Sequence, residues 1–183
     1  MKKNIIGIAS ILFLFAMILL VDFYSSKEEY ELVTKQQIDT IVEKEKIVVL
    51  SKEDIFVKNK PMTLIFYSKN SQIGSIEARN INGSLKYTRT LTTGKNGNVI
   101  QTIGAKGDLA YIMVAINDSN ILKNAKKLDI SDTGLNHLVT KEINGNPYVI
   151  VVFDEKSEVS FSEPFNYKFI DYNNQTLFEC EGC

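Results

Sequence analysis

Ile5–Val21 reads IIGIASILFLFAMILLV, a run with no charge and with Ser10 as its one polar side chain. No other stretch of the 183 residues restricts the fold so strongly. As a helix the run is about 26 Å long, and counting from Asn4 to Phe23 gives about 20 residues, enough for a hydrocarbon core about 30 Å thick. In lipid the peptide groups must bond to one another, so a lone span has to be helical. Lys2 and Lys3 precede the run, and Asp22 and then Lys27-Glu28-Glu29 follow it. That lysine asymmetry predicts a single-pass anchor with a cytoplasmic N-terminus and an extracytoplasmic bulk, Phe23 and Tyr24 lying at the interface. The rival reading is a cleaved secretory signal, which needs small residues in an A-x-A-like pattern at its cleavage site. Ser25 or Ser26 fits the last position, but the residue two places upstream is then Phe23 or Tyr24, both bulky. No cysteine lies near the end of the run to take a lipid. The expectation is an uncleaved anchor whose first partner is membrane lipid.

Beyond the anchor about 140–160 residues remain, the size of one ordinary domain. An apolar content of 44% suffices for a core. The formal net charge is −1 and includes Lys2 and Lys3, so the exported part is mildly acidic. That excludes a nucleic-acid partner, which needs a clustered basic surface, and a polybasic membrane-surface module. Arginine occurs at Arg79 and Arg89 alone, and the many Asn, Ile and Lys residues fit an AT-rich bacterial genome. No repeat and no Pro-rich or Gly/Ser-rich linker divides the chain.

The organisation follows as residues 1–24, cytoplasmic stub and transmembrane anchor; 25–46, juxtamembrane linker or stalk helix; and 47–183, an extracytoplasmic β-domain. Thr34-Lys35-Gln36-Gln37 fits a capping box, and Ile38, Ile41 and Val42 recur at helical spacing, predicting a helix from Lys35 to Lys46. From Ile47 the pattern becomes short β-type runs: Ile47–Leu50, Ile55–Val57, Met62–Tyr67, Ser75–Ile81, Ser84–Leu91, Val99–Ile103, Ala110–Ile116, Val139–Ile143, Tyr148–Phe153, Glu158–Phe161, Phe165–Tyr172 and Thr176–Cys180. Asn82-Gly83 and Asn144-Gly145 each separate two such runs and predict hairpins. Lys95–Asn98 and the stretch bracketed by Gly104 and Gly107 read as turns. Asp118–Lys127 reads as a short helix from near Ser119, or a loop. Ala110–Ile116 (AYIMVAI) is continuously apolar and belongs in a central strand covered on both faces. Phe165–Tyr172 alternates instead, placing Phe165, Tyr167 and Phe169 inward and Asn166 and Lys168 outward.

Closely spaced short strands predict a mainly β fold, an antiparallel β-sandwich of immunoglobulin-like architecture in the loose sense, behind one transmembrane helix. The Cys…Trp…Cys mark of true immunoglobulin domains is absent, because the chain has no Trp and both cysteines lie at its end.

Candidate chemistry is sparse. His137 is the lone histidine, with Ser131 and Asp132 nearby and Gly134 beside it; no nucleophile elbow surrounds any serine, and an ordinary loop histidine is the expectation. One His and one Cys pair do not make a zinc site. Asp129, Ser131 and Asp132, or Asp171, Asn173 and Gln175, could offer oxygens to calcium, but neither set completes an EF-hand loop, and both read as turn residues. Gly104-Ala105-Lys106-Gly107 lacks the ending of a phosphate loop. No metal or cofactor is expected.

Cys180-Glu181-Gly182-Cys183 is the one distinctive constellation, a possible disulfide or redox pair. A redox CxxC opens a helix, whose dipole lowers the thiol pKa; Cys183 is the last residue, so no such helix is expected. Fully extended, the pair would span about 10 Å, beyond the roughly 7 Å limit for bridged Cα atoms. Gly182 permits the tight turn that closes that gap. A local disulfide, an intermolecular bridge and free thiols all remain open.

These features predict a membrane-anchored, non-catalytic binding or assembly module of the bacterial cell envelope, meeting an envelope protein or ligand through loops or an exposed edge strand. The layout of basic start, apolar helix, helical extension and β-domain also resembles a minor pilin-like or secretion-apparatus subunit. Such chains carry a processing Gly, a place Gly7 could take, and an early Glu, where this chain has Leu12. An envelope enzyme using His137 or the CxxC is the third reading.

Overall fold

The computed structural model describes residues 28–94, 97–132, 138–154 and 164–182, with Met17, Val159 and Phe161 as single positions; at 90–92 it describes the backbone alone. The fold is mainly β, in antiparallel sheets. Strand β1 (Tyr30–Glu31) leads into helix α1 (Lys35–Glu45). The capping box forms as the sequence implies: Gln37 N–H donates to Thr34 Oγ1 at 3.2 Å, and Thr34 N–H donates to Gln37 Oε1 at 2.9 Å. Lys46 closes the helix in the left-handed region, its N–H reaching the Val42 carbonyl.

Four strands follow as a meander: β2 (Val48–Val57), β3 (Lys60–Lys69), β4 (Gln72–Ile81) and β5 (Ser84–Gly94). The two β-branched pieces Ile47–Leu50 and Ile55–Val57 are one strand, β2, with a bulge between Val49 and Ser51. The polar Ser51–Asp54 stretch does not interrupt it, because β2 lies at a sheet edge where charged side chains are tolerated. Every connection in the meander is a two-residue loop. Asn82 (φ 52°) and Gly83 (φ 75°) give the predicted hairpin, and Lys58 (φ 50°) and Asn59 (φ 64°) adopt the same left-handed pair without a glycine. β1 adds to β4 opposite Asn80 and Ile81, beyond Thr63, where the β3–β4 pairing begins.

The chain continues through β6 (Ile100–Lys106), β7 (Ala110–Ile116), helix α2 (Ser119–Asn124), β8 (Ala125–Asp132), β9 (Leu138–Glu142), β10 (Tyr148–Val152), β11 (Phe165–Asp171) and β12 (Thr176–Cys180). These strands form two further sheets, of order β10-β7-β6 and β12-β11-β8-β9; an immunoglobulin sandwich has two sheets in all.

Three local expectations need correction. Asp118 caps a helix that stops at Asn124, and Ala125–Asp132 is a strand whose Leu128 and Ile130 are fully buried. Lys127, Asp129 and Ser131 occupy the alternate, half-buried positions, and with Lys126 and Asp132 they give the stretch the polar look of a loop. The Asn144-Gly145 turn forms, with φ of 49° and 74°, but the runs beside it do not pair with each other. β9 joins β8, whereas β10 joins β7. The dipeptide sets the local reversal, and burial decides the partners: YVIVV of β10 is apolar on both faces, and LVTKE of β9 is suited to an edge. Gly104 lies within β6, where a Cβ would run into the Phe161 ring. Glu158–Phe161 falls mostly outside the described residues.

The sheets stack through three apolar cores. Val33, Ile38, Ile41 and Ile47 pack α1 on Ile65, Tyr67, Ile76 and Ala78 of β3 and β4, so residues assigned to a linker or stalk carry core contacts. The opposite face of that sheet, with Leu64 and Phe66, meets Ile103, Tyr111, Met113 and Ile150 of the three-stranded sheet. The other face of the three-stranded sheet, with Ile112, Val114, Val149 and Val151, meets Leu128, Ile130, Phe165, Tyr167 and Phe169 of the four-stranded sheet. β7 is buried at every residue, as its continuous apolar run predicts. No helix among the described residues is long and apolar enough to cross a membrane, and Ile5–Val21 lies outside them except for Met17.

Candidate functional site

Among the described residues β6 pairs with β7 alone and β12 with β11 alone, so each is the edge of its sheet. The two edges lie side by side, and between them opens a cleft of about 620 Å³ lined by Val99, Ile100, Gln101, Thr102, Phe178 and Cys180, among others. Ile100, Gln101 and Thr102 are consecutive. A strand face presents alternate residues, so three in a row mean that the cleft runs along the strand edge. None of these lining groups is charged.

Tyr167 of β11, a buried core residue, stands opposite the lining residue Cys180 in the ladder. Burial pushes its phenol above the usual value of 10.0, and a hydrogen bond with Thr102 opposes the shift. Cys180 is disulfide-bonded; Cys183 lies outside the described residues. Gly182 has φ 70°, and its N–H donates to Asn166 Oδ1 at 2.9 Å, which draws the tail back over β11. The disulfide and this turn sit at the end of an edge strand, where they limit its reach.

A second hollow, also of about 620 Å³, lies between α1 and the start of β2. Ile38, Val42, Ile47, Val48 and Val49 give it an apolar floor, and Lys35, Asp39 and Lys52 stand at its rim. Val48 is 63% exposed. Behind the C-terminal end of α1, Tyr87 donates to Glu45 Oε1 at 2.8 Å, and Arg89 Nη1 lies 3.7 Å from Glu45 Oε2. The buried Tyr67 hydroxyl lies close to Arg89, which bonds to it. Burial raises its pKa, and the Arg89 charge opposes that rise.

The other sequence candidates scatter. His137 and Gly134 lie outside the described residues. Ser131 and Asp132 are strand residues of β8, and Asp132 is buried opposite Phe165. Asp129, on the same strand, accepts from Thr140 Oγ1 of β9 at 2.7 Å and pairs with Lys127 of its own strand at 3.3 Å, so both its oxygens are engaged. Asp171 Oδ1 accepts the N–H groups of Asn173 and Gln175, both at 2.8 Å, which makes it the turn residue its sequence suggests. Lys106 reaches from β6 to the Val159 carbonyl at 2.7 Å. Among the described residues no three His, Cys, Asp or Glu side chains gather as a metal set. Sequence reasoning missed Thr102 and Gln101; the signal for Tyr167 was its inward place in an alternating strand, but nothing in the sequence placed β6 beside it.

Comparisons with family models, with curated proteins and with solved structures give no match.

Proposed function

We propose that this chain is a membrane-tethered, non-catalytic binding or assembly module of the bacterial envelope, a sandwich-type β-domain held outside the membrane by one N-terminal helix. The tether rests on Ile5–Val21 and on Lys2 and Lys3 before it. The observation that carries the binding role is the cleft between the edges of β6 and β12, whose described lining residues carry no charge. Edge strands hold unpaired backbone N–H and C=O groups, and an extended segment of another envelope protein can add to them while its side chains fill the cleft. The pilin-like reading is less well supported, because β1 and the Thr34 cap separate α1 from the apolar run and the two are not one continuous helix. An enzyme reading would need a polar site around His137 or a reactive thiol at Cys180, and Cys180 is in a disulfide.

The test is crosslinking in intact spheroplasts. A photo-activatable residue placed at Val99 or Phe178 should give adducts, one placed at Lys168 on the open face of the four-stranded sheet should not, and protease added outside should digest those adducts. Adducts from all three positions alike, no adducts from the cleft positions, or adducts resistant to external protease would overturn the proposal.

A further inference from the structure

Asn82-Gly83 and Asn144-Gly145 share a dipeptide, solvent exposure and left-handed φ values within a few degrees of each other, Asn 52° and 49°, Gly 75° and 74°. They differ in what holds them. Asn82-Gly83 closes a hairpin whose ladder begins at once with Ile81 opposite Ser84. Its side chain is pinned as well: Asn82 Oδ1 accepts the Glu29 N–H at 2.8 Å, and Asn82 N–H donates to the Glu29 carbonyl at 2.8 Å. Gln37 Nε2 reaches the Gly83 carbonyl at 3.4 Å.

Asn144-Gly145 has no such frame. It joins β9 to β10, which belong to different sheets, so no ladder crosses the turn. The bond from Asn146 N–H to the Ile143 carbonyl, at 2.8 Å, closes it. Among the described residues the Asn144 side chain makes one long contact, Nδ2 to Glu142 Oε2 at 3.4 Å, and its side-chain oxygen is not held by any of them. Around Gly145 the space is open, with the Leu122 carbonyl 3.9 Å from where a Cβ would stand.

We propose that Asn144 is a site of spontaneous covalent modification, converting through a cyclic imide to aspartate and isoaspartate. The Gly145 backbone nitrogen attacks the Asn144 side-chain carbonyl carbon and forms the new C–N bond. The side-chain amide nitrogen leaves as ammonia, taking the proton that the Gly145 nitrogen gives up. Water then opens either imide carbonyl. Opening one restores the ordinary backbone as Asp, and opening the other routes the backbone through the side chain as isoAsp. No oxidant or enzyme enters. The reacting groups belong to adjacent residues, so the step is intramolecular, and its rate is set by how often the turn leaves its closed geometry. At Asn82 that opening must break the Glu29 contacts and the end of a ladder; at Asn144 it breaks the Asn146–Ile143 turn bond, while the bonds from Ile143 N–H to the Lys126 carbonyl and from Tyr148 N–H to Asn146 Oδ1, each 3.0 Å, hold the flanks and not the Asn144-Gly145 pair itself. The product places a carboxylate beside Glu142 and removes the amide donor, so the link between the central and the outermost sheet becomes more acidic and looser.

The test ages the purified full-length protein in detergent at mildly alkaline pH, maps peptides by mass spectrometry, and assays isoaspartate with an isoaspartyl methyltransferase and labelled methyl donor. Asn144 should convert at least about tenfold faster than Asn82, the factor that about 1.4 kcal/mol of extra opening cost gives. In urea the two rates should converge, because the dipeptides are identical once the frame is gone. Equal rates in the folded protein, or a faster Asn82, would overturn the proposal. So would a ratio unchanged in urea, since the preference would then be one of neighbouring sequence and not of structure.

Discussion

β7 and β11 are both seven-residue strands in antiparallel sheets, and they are built on opposite rules. In β7 the neighbours Met113 and Val114 are both wholly buried and belong to different cores, Met113 with Phe66 and Tyr111, Val114 with Leu128 and Phe169. In β11 the buried residues Phe165, Tyr167 and Phe169 alternate with the partly exposed Asn166 and Lys168. The strand with no periodicity is the one covered on both sides, and the strand with period two is covered on one. Periodicity thus reports how many layers lie around a strand, which is more than whether the segment is a strand at all.

The sharpest way to break this comparison is to charge both parities of β7. Val114→Asp and Met113→Asp each bury a carboxylate with no partner, and each should cost more than about 4 kcal/mol. A domain of this size has about 5–15 kcal/mol in total, so both variants should lose a large part of their stability and melt far below the wild type. Circular dichroism and thermal melts of the two proteins check it. If one of them melts near the wild-type temperature, the core on that side of β7 is not closed.

Much of the fold was legible because local and global signals agreed. Thr34 and Gln37 announced α1, Asn82-Gly83 announced the β4–β5 hairpin, and AYIMVAI announced the central strand. The signals that failed are those where a short-range cue and long-range burial point apart. Asn144-Gly145 specified a reversal, yet β10 found its partner in β7. In Ala125–Asp132 the polar positions outweighed Leu128 and Ile130 to the eye, although the alternation was there. The candidate site was less legible still. Cys180 stood out, but the cleft beside it depends on β6 and β12 meeting across more than seventy residues of sequence, and neither Gln101 nor Thr102 carries a motif. An edge-to-edge cleft is a property of sheet order, which no local pattern encodes.

A smaller effect separates the inward residues of β11 from the outward ones by pH. Burial raises the Tyr167 phenol above 10.0. Below about pH 10 the residue is neutral in both folded and unfolded chains, and stability carries no pH dependence from it. Above that value the unfolded chain loses the proton while the folded one still holds it, so stability falls as pH rises towards the folded-state pKa. Urea unfolding at increasing alkaline pH should show this decline, and Tyr167→Phe should make it shallower. Tyr67, raised in the same direction, keeps part of the slope. Parallel curves for variant and wild type would mean that water reaches the Tyr167 hydroxyl.

The smallest effect belongs to Lys168, the outward neighbour of two buried aromatic residues. Its Nζ lies 3.4 Å from Glu179 Oε2, and the two side chains are 40% and 44% exposed. A pair so open to water gains little, because solvent screens it and both side chains lose freedom in forming it. Lys168→Ala should therefore change stability by no more than about 0.5 kcal/mol. The value lies in the contrast with β7, where a one-residue step changes which core is damaged and never reaches solvent. In β11 the same step should take the cost from that of a core residue to almost nothing. Urea titrations of Lys168→Ala beside Val114→Asp and Met113→Asp measure it directly. A loss of about 2 kcal/mol or more for Lys168→Ala would mean that the outer face of the four-stranded sheet is covered in solution. The alternation in β11 would then mark a polar interface and not a surface facing water.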